Sequence, residues 1–250
     1  MMAYRLGAFL GVFALVALWE ALAPHHRPAR GRWPVNLGLI VLDTLLVRLL
    51  GPVSAVGAAL LAQRHGWGLL PALGLSGWAA GAVAVVALDF SVWAQHLVMH
   101  HVPLLWRLHR MHHADLAFDV TTGIRFHPGE MIVSALWKAA TVLLLGAAPL
   151  AVVVFEALLS AASLFEHANA SLPKRLDTWL RHAVVTPDMH RIHHSPVPVE
   201  TNSNYGFLLA VWDRVFRTYR ARGIADAIGL ERFRAPADQR FLALLGQPFR

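Results

Sequence analysis

Five apolar stretches decide what this chain can fold into: 6–23, 35–62, 69–95, 131–146 and 149–166. A helix rises about 1.5 Å per residue and a bilayer core is about 30 Å thick, so about 20 apolar residues make one span. The first stretch, in "YRLGAFLGVFALVALWEALAP", has that length. No small-residue cleavage site comes after it, which sets it apart from a secretory signal. The next residues are "HHRPARGRWP", where Arg27, Arg30 and Arg32 place the loop on the cytoplasmic side. Composition agrees. Hydrophobic residues make up 56% of the chain and charged residues 15%, against roughly 25% charged in a soluble domain. Mean hydropathy is +0.49.

The second stretch contains Asp43 and Arg48, read as a structural ion pair, and Gly51-Pro52, read as a kink. "QRHGWG" lies outside, and 69–95 returns the chain to the cytoplasm. As one helix, 131–167 would be about 55 Å long, far more than a bilayer needs. "GAAP" at 146–149 divides it into a hairpin of 131–146 and 149–166, so His127 before it and His167 after it share one side. The expected fold is all-α: a single integral membrane domain over 1–250, a bundle of four or five spans. A cytoplasmic helical cap, 96–130 and 167–220, precedes a C-terminal tail, 221–250.

With no cysteine, disulfides, thiolate zinc sites, Cys-ligated iron–sulfur clusters and Cys nucleophiles are all excluded. The net charge of +7 fits positive-inside loops beside anionic lipid, with no nucleic acid partner.

The anomaly is fifteen histidines. "HLVMH" sets His96 and His100 at i, i+4; "HRMHH" sets His109, His112 and His113 at i, i+3, i+4; "HRIHH" repeats that spacing with His190, His193 and His194; "FEHAN" adds His167. These offsets put imidazoles on one helix face. Neutral imidazole is a good ligand for iron, zinc, copper or nickel. Adjacent histidines in HxxHH diverge by about 100° around the helix, so one member can serve each of two nearby metals. Nine imidazoles exceed what one ion takes, and two metals is the natural count. His25, His26, His65, His101 and His182 read as ordinary surface or core residues.

HxxxH followed by two HxxHH boxes, set among four or five spans, resembles the fatty acid hydroxylase/sterol desaturase superfamily. "RFHPGE" (125–130), "TPDMHRIHHS" (186–195), "NSNYGF" (202–207) and "WDRVFRTY" (212–219) resemble family elements too, so the likeness covers roughly 85–220. The resemblance implies a non-haem di-iron centre that uses O2 and two electrons to attack an unactivated C–H bond of a lipid, giving an alcohol or an alkene. Its ligands here are His96, His100, His109, His112, His113, His167, His190, His193 and His194. Some relatives carry Asn or His four residues before the equivalent of His167. Ser163 stands there, a poor iron ligand that could hold a water or leave the position open for O2. "HPGE" does not mark a cytochrome-b-type haem domain, because a membrane helix begins directly after it. His127 is expected to support the ligands rather than join them.

Metal-bound imidazoles donate their remaining N–H to an acceptor, and Asp89, Glu130, Glu166 and Asp188 lie near the boxes, with Asp115 and Asp119 further off. Asn204 and Asp213 belong to the family-like tail, as supporting or structural residues. Trp93, Trp106 and Trp137 are candidates to line a lipid channel. The chain has no flavin or nicotinamide fingerprint, so electrons come from a separate ferredoxin, cytochrome or reductase. A membrane metal transporter or metal-binding protein is the alternative, but it calls for mid-bilayer ligands with acidic partners. A zinc hydrolase calls for HExxH, which is absent.

Overall fold

The computed structural model describes the backbone of residues 2–49, 51 and 54–250, with side chains from residue 6 onward except that of residue 30. The kink expected at Gly51-Pro52 falls partly on Pro52, outside the described residues. Among the described residues the fold is all-α. The helices are α1 (Met2–Leu22), α2 (Trp33–Leu49), α3 (Ala55–His65), α4 (Leu69–Ala72), α5 (Gly77–His101), α6 (Pro103–His113), α7 (Pro128–Leu145), α8 (Pro149–Glu166), α9 (Lys174–Leu180), α10 (Pro187–His193), α11 (Pro198–Thr201), α12 (Val211–Val215) and α13 (Phe241–Leu245).

Three of them, α5, α7 and α8, are long and apolar enough to cross a membrane, and Leu6–Leu22 of α1 is a shorter apolar helix. Large apolar side chains such as Leu15, Leu144 and Leu150 point outward, as they do where the solvent is lipid. The protein is thus a multi-pass membrane protein. The apolar stretch 35–62 is shared between α2 and α3. The stretch 69–95 holds α4 and most of α5, which runs on through His96 and His100 to His101.

The core of the bundle is small-residue packing. Ala55, Ala58 and Ala59 of α3 and Ala84 of α5 face Ala139 and Val142 of α7 and Ala151, Val152 and Phe155 of α8. Small side chains let helix backbones approach closely, which drives association where lipid offers no hydrophobic contrast. The α7–α8 hairpin turns at Gly146, in the left-handed region at φ 66°, before Pro149 restarts the helix. There the backbone touches Gly68, where an added Cβ would sit 2.2 Å from the Gly146 backbone. α1 packs on α8, and α2 on α7.

At the opposite end of the bundle, four helices finish together. α5 breaks at Val102 and Pro103 starts α6. α8 ends at Glu166, with His167 as its C-cap, and α10 is capped at its start by Thr186 and ends at His193. Arg32, just before α2, is paired with Asp115 and with Asp119 (2.7 Å), which fixes the 115–124 segment against the entry of α2.

Candidate metal centre

All nine box histidines sit within the last two turns or at the C-caps of α5, α6, α8 and α10. Helix C-termini carry partial negative charge and favour cations. The rings meet in two groups. His96, His100, His109, His113 and His193 form one; His112, His167, His190 and His194 form the other. Within each group the candidate ligand atoms all lie within 4.8 Å of one another, and every ring is buried. Each HxxHH box is divided between them. "HRMHH" sends His109 and His113 to the first group and His112 to the second, and "HRIHH" sends His193 to the first and His190 and His194 to the second.

Six of the nine Nδ1 atoms face outward to acceptors, while those of His113, His190 and His194 have no hydrogen-bond partner. His96 Nδ1 donates to the Tyr205 carbonyl (2.8 Å), His193 Nδ1 to that of Ser203 (2.6 Å), His167 Nδ1 to that of Ser163 (2.7 Å) and His112 Nδ1 to that of Arg125 (3.2 Å). His109 Nδ1 donates to Glu130 Oε1 (2.7 Å), and His100 Nδ1 lies 3.3 Å from Asn202 Oδ1. A carbonyl oxygen only accepts, so these rings carry their proton on Nδ1. Burial pushes the imidazoles of His112, His113, His190 and His194 well below their ordinary range, that of His193 down to about 3 and that of His167 to about 4. At neutral pH these rings are uncharged.

The Nε2 atoms face inward. His96 Nε2 is 3.0 Å from Nε2 of both His109 and His193, and His113 Nε2 is 3.2 Å from that of His109. His167 Nε2 is 3.1 Å from that of His190 and 3.2 Å from those of His112 and His194. Where Nδ1 holds the proton, the Nε2 lone pairs point at one another with no hydrogen between them, a repulsive arrangement unless a cation lies in their midst. Imidazole nitrogens bind such metals at about 2.1 Å, and neighbouring ligands at right angles are then about 3.0 Å apart. The donor set therefore fits two metal ions, one per group.

The other expected site residues divide. Glu130 reaches an imidazole, that of His109. The Ser163 carbonyl holds His167, while its hydroxyl donates to the Gly123 carbonyl (3.0 Å). Asn204, at φ 54°, ties its loop to the carbonyls of Met189 and Arg220 (both 3.0 Å). Asp213 accepts from the backbone N–H groups of Tyr205 and Gly206 (both 2.9 Å) and from the Trp93 indole (3.1 Å). Three residues turn elsewhere. Asp89 accepts from the Trp212 indole (2.7 Å) and Asp188 pairs with Arg191 (2.5 Å). His127 caps α7: its Nδ1 accepts from the Gly129 N–H and its Nε2 donates to the Leu245 carbonyl. That is the opposite tautomer from the box rings, and it lies in neither group. Asp115 and Asp119 are spent on Arg32. Trp106 lies against His100 and His113, with centroids at 4.9 and 5.4 Å, whereas Trp137 donates to Ser91.

Sequence reasoning missed the carbonyls of Ser203, Tyr205 and Arg125, because a main-chain acceptor leaves no residue-type signal. Gly123 was missed for a related reason. A Cβ there would stand 2.7 Å from the Ser163 carbonyl oxygen and 3.2 Å from His167 Nδ1, so only glycine lets this segment pass. Arg125 is fully buried and anchored to the Met111 carbonyl and to Asn36 and Gln239. It holds the stretch of backbone on which His112 leans.

The fatty acid hydroxylase family signature matches residues 81–218, more than half of the chain and the region that holds every box. The chain belongs to the fatty acid hydroxylase family. Among its relatives, the ornithine lipid hydroxylase OlsE of Rhizobium tropici is 29% identical over 96% of this chain and 74% of its own length. The alkylglycerol monooxygenase of Homo sapiens is 26% identical, covering 59% of this chain but 32% of that protein. A cholesterol 25-hydroxylase-like protein of Danio rerio is 26% identical over 55% of this chain and 54% of its own. No solved structure matches the chain. The family is one of membrane lipid hydroxylases of the histidine-box type, and the buried clusters of this chain suit a pair of metals.

Proposed function

We propose that this protein is an O2-dependent di-iron hydroxylase acting on an unactivated C–H bond of a membrane lipid. The observation that supports it most is the meeting of nine buried imidazoles in two groups, with Nε2 lone pairs turned inward at 3.0–3.2 Å. His96, His100, His109, His113 and His193 would hold one iron and His112, His167, His190 and His194 the other. Two irons with O2 and two electrons supply the oxidising power that no side chain has. The chain's own work is positional. The Nδ1 acceptors of His96, His100, His109, His112, His167 and His193 fix those rings and their tautomers. Phe118 and Phe126 wall the four-histidine group, Phe126 stacking on His112 at 4.7 Å, and keep bulk water out.

The lipid tail has a place to lie. An apolar groove of about 540 Å³ runs along α5 between Val86, Phe90, Trp212 and Phe216. Behind its Phe216 wall lies the buried Trp93, stacked on Phe216 at 4.5 Å and one helical turn before His96. A tail entering from the bilayer along α5 would bring a carbon toward the centre. The relative aligned over nearly the whole chain is named for an ornithine lipid, which favours a polar acyl lipid over a sterol, and hydroxylation over desaturation. The arginines near the histidine end, Arg32 among them, favour a cytoplasmic active site. Electrons would arrive from a separate ferredoxin, cytochrome or reductase.

Lipid mass spectrometry of cells with and without the gene tests this reading. A lipid gaining 16 mass units only when the gene is present is the expected result; a loss of 2 would make the outcome desaturation. An unchanged lipidome in aerobic, iron-replete cells would refute the reading.

A further inference from the structure

Among the described residues, Glu166 is the one carboxylate with both side-chain oxygens buried and without a hydrogen-bond partner. The residue is fully buried. Among the described residues no Lys or Arg pairs with it. It is also the last residue of α8, where the negative end of the helix dipole opposes an anion. Burying such a group is strongly unfavourable unless a cation lies beside it. Its neighbours show where that cation belongs. Oε1 lies 3.7 Å from His167 Nδ1 and 3.9 Å from His190 Nε2, both rings of the four-histidine group. These separations are too long for a hydrogen bond and suit one bridging water. The neighbouring group has five imidazoles where this one has four.

We propose that Glu166 is the anionic fifth partner of the four-histidine site. It holds the charge of the metal there and, through one water, the position that a fifth imidazole takes next door. Each site then has one nearby carboxylate, Glu130 on the five-histidine side and Glu166 on the other. Glu166 is a positioning residue, and the proposal rests on the nine histidines being a two-metal centre.

The test is Co(II) titration of purified, metal-free protein, measuring metal per chain and the visible absorption of each equivalent, beside thermal unfolding. Wild-type protein should take two equivalents. Glu166→Gln should keep the first with unchanged affinity and bind the second at least about ten-fold more weakly, with an altered spectrum. Metal-free Glu166→Gln should be at least as stable as metal-free wild type, since a buried carboxyl without a partner is replaced by an amide that never carries charge, and should gain less on adding metal. Two equivalents bound by Glu166→Gln with wild-type affinity and spectrum would overturn the proposal alone. A wild-type protein that takes one equivalent or none would overturn it together with the two-metal reading. Should Glu166→Gln fail to fold, Glu166→Leu decides: failure of both means that the fold needs the carboxylate without metal, which also overturns the proposal.

Discussion

The two histidine groups are built from the same short boxes, yet they lean on different parts of the molecule. The five-histidine group hangs His96 and His193 on the 203–205 loop and His109 on Glu130 of α7. The four-histidine group hangs His167 on α8 itself and His112 on the 123–125 segment, with an unpartnered carboxylate alongside. The boxes distribute rings to both sites because adjacent residues on a helix diverge by about 100°. What distinguishes the sites is the backbone behind the rings. Each can therefore be disturbed separately.

The largest effects come from the rings themselves. His112→Ala should empty the four-histidine site and His193→Ala the five-histidine site. Metal should fall from two per chain toward one in each variant, with activity down by more than about 100-fold. Equal, full metal content in both variants would break the division. Gly123→Ala should act next most strongly. Its Cβ meets the Ser163 carbonyl and His167, so affinity at the four-histidine site should drop by roughly 10- to 100-fold while the other is spared, as metal titration would show. Glu130→Gln is the milder mirror image. The amide oxygen still accepts from His109, but the charge is lost, and the five-histidine site should weaken by about ten-fold.

The smallest effect is on pH. Burial holds His193 and His167 at about 3 and about 4, below about 6.5 in the unfolded chain. The unfolded state thus binds more protons between those values. Stability of the metal-free protein is complete above about pH 6.5 and is lost as pH falls toward 4, by up to about 1.4 kcal/mol per unit for each such ring. Thermal unfolding from pH 7.5 to 5 should show a falling midpoint in metal-free protein and a smaller fall in loaded protein, since metal competes with the proton. A flat profile would mean that the rings are not buried as described.

Much of this was legible in the sequence, for physical reasons. Apolar length shows where α5, α7 and α8 run, and "GAAP" shows where the hairpin turns. Offsets of three and four put the imidazoles on shared faces. The acceptors behind the rings were not legible. The carbonyls of Ser203, Tyr205 and Arg125 belong to any residue, and which one meets a histidine depends on tertiary placement. The same limit explains Asp89 and Asp188. Both lie close to a box in sequence, but Trp212 and Arg191 claim them first. His127, in the family-like "HPGE", was expected to support the ligands, and its position at the start of α7 gives it a capping role.

The most direct measurement is iron content with Mössbauer spectroscopy on protein purified anaerobically with iron. Two irons per chain in two inequivalent environments, each lost selectively in His112→Ala or His193→Ala, is the predicted result. One iron per chain, or none, with all nine histidines intact would contradict the account.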